Sequence, residues 1–253
     1  MTTASHVNRL PRVVANFDRG AAIPANYSAG KHIAQSVTLS AIIVAGSIFL
    51  AVKAQPVDWL LVPAFWVAAN FIEWAFHRGP MHHPTKARIL YVNHTLIHHR
   101  AFLHNTMPVR NFREFGLILM PWYTMMLLLT LGAPIAAAAW AWRGAGAVGI
   151  FYLFAIAYFL SYEVLHGLYH TPEAFQRRSG LWNNRVFKFL QHHHAHHHRL
   201  DRMSHCNFNV TIPLWDKLMG TRQRPLLDAD THETAEAWDK QMAPRERQEA
   251  EAI

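Results

Sequence analysis

The chain has 253 residues, of which 51% are hydrophobic and only 16% are Asp, Glu, Lys or Arg, against about 25% charged residues in an average soluble domain. That balance excludes a disordered chain and argues against an ordinary soluble globule. Cys206, the single cysteine, excludes an internal disulfide framework and a Cys-rich zinc module and fits a reducing compartment.

In chain order, residues 1–35 are polar with scattered charges and read as an N-terminal segment without a cleavable signal peptide. Four apolar blocks follow. Residues 36–55 carry no charge before Lys53, and residues 57–76 carry Asp58 at the start and Glu73 near the end. Residues 115–142 are charge-free, and residues 144–165 hold only Glu163. Each block has the roughly 20 residues that a helix needs to cross a ~30 Å bilayer core. Buried helices in a large soluble core are the competing reading. Residues 222–253 form a polar tail with a short helix expected over 233–242.

The positive charges test this topology. If the blocks span, residues 1–35, 77–114 and 166–253 share one side and hold 4, 6 and 12 Lys and Arg, or 22 of the 24. Only Lys53 and Arg143 fall in the two short opposite loops. Positive residues gather on the cytoplasmic side, so both termini and the long loops are expected there. The net charge of +8 is then topological. No basic stripe interleaved with aromatics points to nucleic acid. The expected fold is an all-α integral membrane protein, with four transmembrane helices and a cytosolic His-rich helical domain that binds metal.

Most of the 19 histidines fall in boxes. His77 and His82 bracket a Gly79-Pro80 pair, where the helix is expected to break. His94, His98 and His99 form an HxxxHH, and His166 and His170 an HxxxH. The run 192–198 contains an HxxHH as His194, His197 and His198, or one residue earlier as His193, His196 and His197. Residues i, i+3 and i+4 share a helix face, so His94 with His98, His166 with His170, and His194 with His197 and His198 are each expected to converge on one point. His6, His32 and His232 stand alone and read as ordinary polar residues. Ten boxed imidazoles exceed the needs of one tetrahedral zinc and suit a two-metal site. Placed at the ends of the spans, redox-active iron with open positions for O2 is the chemistry that reaches an unactivated C–H bond of a lipid. Glu73 and Glu163, four and three residues before their histidines, read either as acceptors that fix ring tautomers or as helix-end charges reaching water.

The order of these boxes resembles the HxxxxH, HxxxHH, HxxxH and HxxHH pattern of the fatty acid hydroxylase/sterol desaturase superfamily. Asn207-Phe208-Asn209, Pro213-Leu214-Trp215-Asp216 and Gly220-Thr221 resemble that family's segment after the last box, and the match covers roughly residues 60–221. The resemblance implies a membrane hydroxylase domain over residues 36–221, two iron ions per chain and O2-dependent hydroxylation or desaturation of a lipid. It carries ligand roles onto His77, His82, His94, His98, His99, His166, His170, His194, His197 and His198. His193 and His196 stand in reserve, as do His104 and His205 nearby, and Asp216 joins Glu73 and Glu163 as a supporting carboxylate.

Residues 144–149 satisfy GxGxxG, but no strand precedes them as a dinucleotide fingerprint requires. Small residues for close helix approach account for them better. With no nicotinamide or flavin site, electrons are expected from a separate ferredoxin- or cytochrome-like protein. A metal transporter would place ligands near the bilayer midplane, yet the blocks hold no histidine. A membrane zinc hydrolase would use fewer histidines. Trp59, Trp66, Phe71, Trp122, Tyr123, Phe151, Tyr158 and Phe159 are candidate liners of a lipid path.

Overall fold

The computed structural model describes residues 17–224, and among them every regular element is helical. Helix α1 (Ala29–Ala51) starts seven residues before the expected block, because the Ser28 hydroxyl accepts the Lys31 N–H and caps it. A 3-10 turn (Pro56–Leu60) leads into α2 (Leu61–Phe76). A short helix α3 (Arg88–Tyr91) runs through a π-helical turn (Val92–His98) into a last turn, His99–Ala101. Next come a 3-10 turn (Phe112–Leu117), α4 (Trp122–Leu131), α5 (Ala133–Arg143) and α6 (Ala145–Tyr169). Helices α7 (Glu173–Arg178), α8 (Arg185–His197) and α9 (Leu214–Leu218) close the described chain. The tail helix expected over 233–242 lies outside the described residues.

Among the described residues, four helical stretches are long and apolar enough to cross a membrane: Ala29–Ala51, Pro56–Met81, Phe112–Leu131 and Ala145–Tyr169. Only 11% of the apolar window is buried in each of the first two, and large side chains such as Ile42, Phe49 and Leu131 face outward. Exposed apolar surface on that scale does not suit a soluble core. Helices satisfy their own backbone hydrogen bonds, so lipid is the solvent that fits them.

The third block departs from expectation. Residues 115–142 do not form one helix. Pro121 has no N–H and disfavours helix at the residue before it, so the backbone is irregular over 118–121 before α4 starts. Leu117 and Ile118 instead pack with Phe102 and Val109 beside the histidines. Gly132 separates α4 from α5, which carries a proline in its first turn. Unbroken apolarity in the sequence hides both interruptions.

Helices α1 and α6 meet at the end away from the histidines. A Cβ on Gly149 would lie 2.3 Å from Ala51 N, and one on Gly146 2.4 Å from Ala54 Cα. Gly146 and Gly149 of the GxGxxG are therefore seam residues, whereas Gly144, with nothing within 4 Å and φ 77°, is the turn between α5 and α6. At the same end Arg143 Nε donates to Asp58 Oδ1 at 2.6 Å, tying the two short loops together. At the other end α6 runs to Tyr169, four residues past its expected limit, so His166 lies inside the helix and His170 caps it.

Candidate metal centre

Among the described residues, two groups of five buried histidines lie at the ends of α2 and α6. The first comprises His77, His82, His94, His99 and His197; the second comprises His98, His166, His170, His194 and His198. Within each group the candidate ligand atoms all lie within 4.8 Å of one another.

Helix geometry sorts the rings. Gly79-Pro80 does not break the helix; residues His77–Met81 continue α2 as a π-helical turn. A π turn closes i to i+5, which brings His77 and His82, five apart, to one side with ring centroids 5.2 Å apart. The π turn Val92–His98 does the same for His94 and His99, at 4.7 Å. The expected pairing of His94 with His98 is thus replaced, and His98 turns to the second group. In that group the α-helical i,i+4 rule holds for His166 with His170 and for His194 with His198, at 5.2 and 4.5 Å. His197 leaves its box neighbours and joins the first group. Each adjacent pair, His98-His99 and His197-His198, is split between the groups.

Hydrogen bonds fix which nitrogen faces inward. His98 Nδ1 donates to Leu117 O at 2.8 Å, His170 Nδ1 to Met107 O at 2.8 Å, and His198 Nδ1 to Phe102 O at 2.5 Å. His197 Nδ1 donates to Cys206 O at 2.8 Å, and His77 Nδ1 donates to Phe208 O. The Thr95 hydroxyl gives its proton to Met81 O and so accepts from His82 Nδ1 at 3.1 Å. A carbonyl can only accept, so each of these rings, when neutral, presents a bare Nε2 to the interior. His170 Nε2 is buried with no hydrogen-bond partner.

Burial keeps the rings neutral. It pushes His98 down to about 4, against the opposing pull of the Leu117 carbonyl. Burial and then the neighbouring rings hold His82, His94, His99 and His194 well below 6.5. Neutral imidazole is the ligand form. Facing Nε2 atoms lie 2.8 Å apart in His77–His94, 3.0 Å in His82–His197 and 3.2 Å in His98–His166. With metal–nitrogen bonds of about 2.0–2.1 Å, two ligands at right angles sit roughly 3 Å apart. The donor set therefore fits one divalent transition metal per group.

The remaining expected residues take other places. His193 bonds Asp216 at 3.1 Å, and His196 lies beside Gln223. Neither belongs to a group, nor do His104 and His205. His32 bridges Tyr27 and the Met120 carbonyl. Glu73 neither bonds a ligand histidine nor reaches for water. It accepts the backbone N–H groups of Val210 and Thr211, the Thr211 hydroxyl at 2.6 Å and the Tyr158 hydroxyl at 2.5 Å. Tyr158 is thereby a network member more than a lipid-path liner. Glu163 accepts the Met120 N–H at 3.1 Å. Burial pushes Asp216 up, but hydrogen bonds from His193, the Asn209 N–H and Thr221 outweigh it and hold the carboxylate below its usual range. No local pattern marks the carbonyl acceptors or the Arg19–Glu114 ion pair, 2.9 Å long across 95 positions.

The profile of the family described as Fatty acid hydroxylase matches residues 62–221. The chain belongs to the fatty acid hydroxylase family, within the sterol desaturase/fatty acid hydroxylase superfamily. No curated protein and no solved structure matches it. The matched region of this fatty acid hydroxylase family member contains all ten grouped histidines together with Glu73, Glu163 and Asp216.

Proposed function

We propose that the protein is an integral-membrane di-iron oxygenase that hydroxylates an unactivated C–H bond of a lipid (a fatty acyl, sterol or isoprenoid-type chain) with O2 and external electrons. The observation that carries this reading is the pair of five-histidine groups at one end of four apolar spans, in a chain of this family. The proposed ligands are His77, His82, His94, His99 and His197 for one iron, and His98, His166, His170, His194 and His198 for the other. Iron bound there supplies electron exchange with O2 and an oxidising power that acid–base groups lack.

The chain's own residues bind, orient and shield. His77 directly follows α2 and His166 lies near the end of α6, so a lipid chain in the bilayer reaches the centre without crossing water. None of the ten rings is more than 9% exposed, which keeps bulk water from an oxidising site. Hydroxylation places one atom of O2 in the lipid and releases the other as water, using two electrons and two protons. The sequence carries no nicotinamide or flavin motif, so a separate ferredoxin- or cytochrome-like protein delivers the electrons. The positive-charge bias supports a cytoplasmic side for the termini and the centre, where such a donor is met.

Untargeted lipid mass spectrometry on cells carrying the wild type or His98→Ala tests the reading. A lipid that gains one oxygen only with the wild type supports hydroxylation and names the substrate. Loss of two hydrogens moves the assignment to desaturation. Purified protein that holds zinc in place of iron, with no lipid difference, overturns it.

A further inference from the structure

We infer that the two halves of the centre rest on two separate charged supports, so that either metal position can be emptied while the other stays filled. The inference rests on the ligand assignment proposed above and identifies Glu73, Asp216, Arg19 and Glu114 as positioning residues.

The first support acts through residues 206–211. The carbonyls of Cys206 and Phe208 accept from His197 and His77, both in the first group. This segment belongs to no regular element, so its amides need other acceptors. Two carboxylates provide them. Asp216 takes the N–H of Phe208 at 2.9 Å and of Asn209 at 2.7 Å, and Glu73 takes those of Val210 and Thr211. Asn207 enters the segment at φ 58°, a left-handed conformation that asparagine tolerates. Its side chain is pinned by Gln223 at both ends. Glu73 and Asp216 therefore bond none of the ten rings, yet set the positions of the carbonyls that orient two of them.

The second support acts through residues 102–117. The carbonyls of Phe102, Met107 and Leu117 accept from His198, His170 and His98, all in the second group. Arg19 holds this segment. Its guanidinium donates to Thr106 O at 2.7 Å, Pro108 O at 3.1 Å and Glu114 Oε2 at 2.9 Å, and lies 4.4 Å over the Phe102 ring. Glu114 also accepts the Arg110 N–H at 3.0 Å. The halves also meet: Tyr169, next to His170, donates to Val210 O at 2.9 Å, and the neighbours His98-His99 and His197-His198 each place one ring in either group.

Groups that orient metal-bound histidines typically change metal affinity 10- to 100-fold when lost. Iron is counted per chain in purified full-length protein in detergent. The wild type is expected to hold two, Glu73→Gln and Asp216→Asn about one, Glu114→Gln about one, and the exposed-site control Glu173→Gln two. Double variants assign the loss. Adding His82→Ala to Glu73→Gln should remove no further iron, whereas adding His170→Ala should remove the rest. Two irons in Glu73→Gln and Asp216→Asn, or loss of both irons from folded protein, overturns the inference. If neither variant folds, stepwise chelation of the wild type decides: two separable phases support it and one concerted loss overturns it. A wild type that holds no iron removes the functional reading as well.

Discussion

The Nε2 atoms of His98 and His198 face each other across 3.3 Å, while the Nδ1 of each ring donates to a backbone carbonyl. Neither neutral ring has a proton to offer the other, so two lone pairs point at one another in a buried site. His82 and His197 face each other likewise in the first group at 3.0 Å, with His82 Nδ1 donating to the Thr95 hydroxyl and His197 Nδ1 to the Cys206 carbonyl. Such an unsatisfied pair is costly in a protein interior, and a shared cation is what makes it favourable.

That relationship predicts which histidines matter. His98→Ala and His197→Ala should each lower iron content and reduce lipid oxidation by at least ~100-fold, because losing a ligand exceeds the roughly 10- to 100-fold cost typical of losing only its hydrogen-bond partner. His196→Ala, outside both groups, should keep its iron. Metal analysis beside a product assay checks this, and a metal-deficient His196→Ala would favour the earlier register of the last box.

Acid should unload the centre. Burial holds His98 down at about 4, against about 6.5 for an unperturbed histidine. Between those values the unfolded chain binds the proton and the folded one does not, so stability rises with pH there. This contribution is complete above about 6.5 and is lost as pH falls towards 4, roughly 3 kcal/mol for this one ring. Protons also compete with metal for the same nitrogens. Iron retention and melting temperature measured from pH 8 down to 4 should fall together below about 6.5.

The α1–α6 seam has no room for a methyl group. Gly149→Ala should destabilise the protein by about 1–3 kcal/mol through overpacking, because its Cβ would meet backbone at 2.3 Å. Gly46→Ala on α1, with nothing within 4 Å, should be tolerated. Thermal unfolding in one detergent compares the two.

Topology is tested from outside the membrane. Tags at both termini should be accessible from the cytoplasmic face alone, because 22 of the 24 Lys and Arg lie in the segments expected on that side. Protection of either terminus from protease added on that face would contradict the arrangement.

The sequence announced the spans and the boxed histidines because apolar length and residue type are local properties. Their sorting into two groups was hidden, since α-helical spacing pairs His94 with His98 whereas the π turn pairs His94 with His99. The interruption at Pro121 was masked by apolar residues on both sides that pack in different environments. Glu73 stood out as a charge near a histidine, but its partners Val210 and Thr211 lie more than 130 positions away. No spacing rule reaches that far.

The most direct test supplies isotopically heavy O2 to membranes containing the protein, its lipid substrate and a reducing partner, and follows the product by mass spectrometry. The expected product is a lipid carrying one heavy oxygen atom, absent with His98→Ala. A product whose new oxygen comes from water, or one formed equally well without O2, would contradict the proposed function.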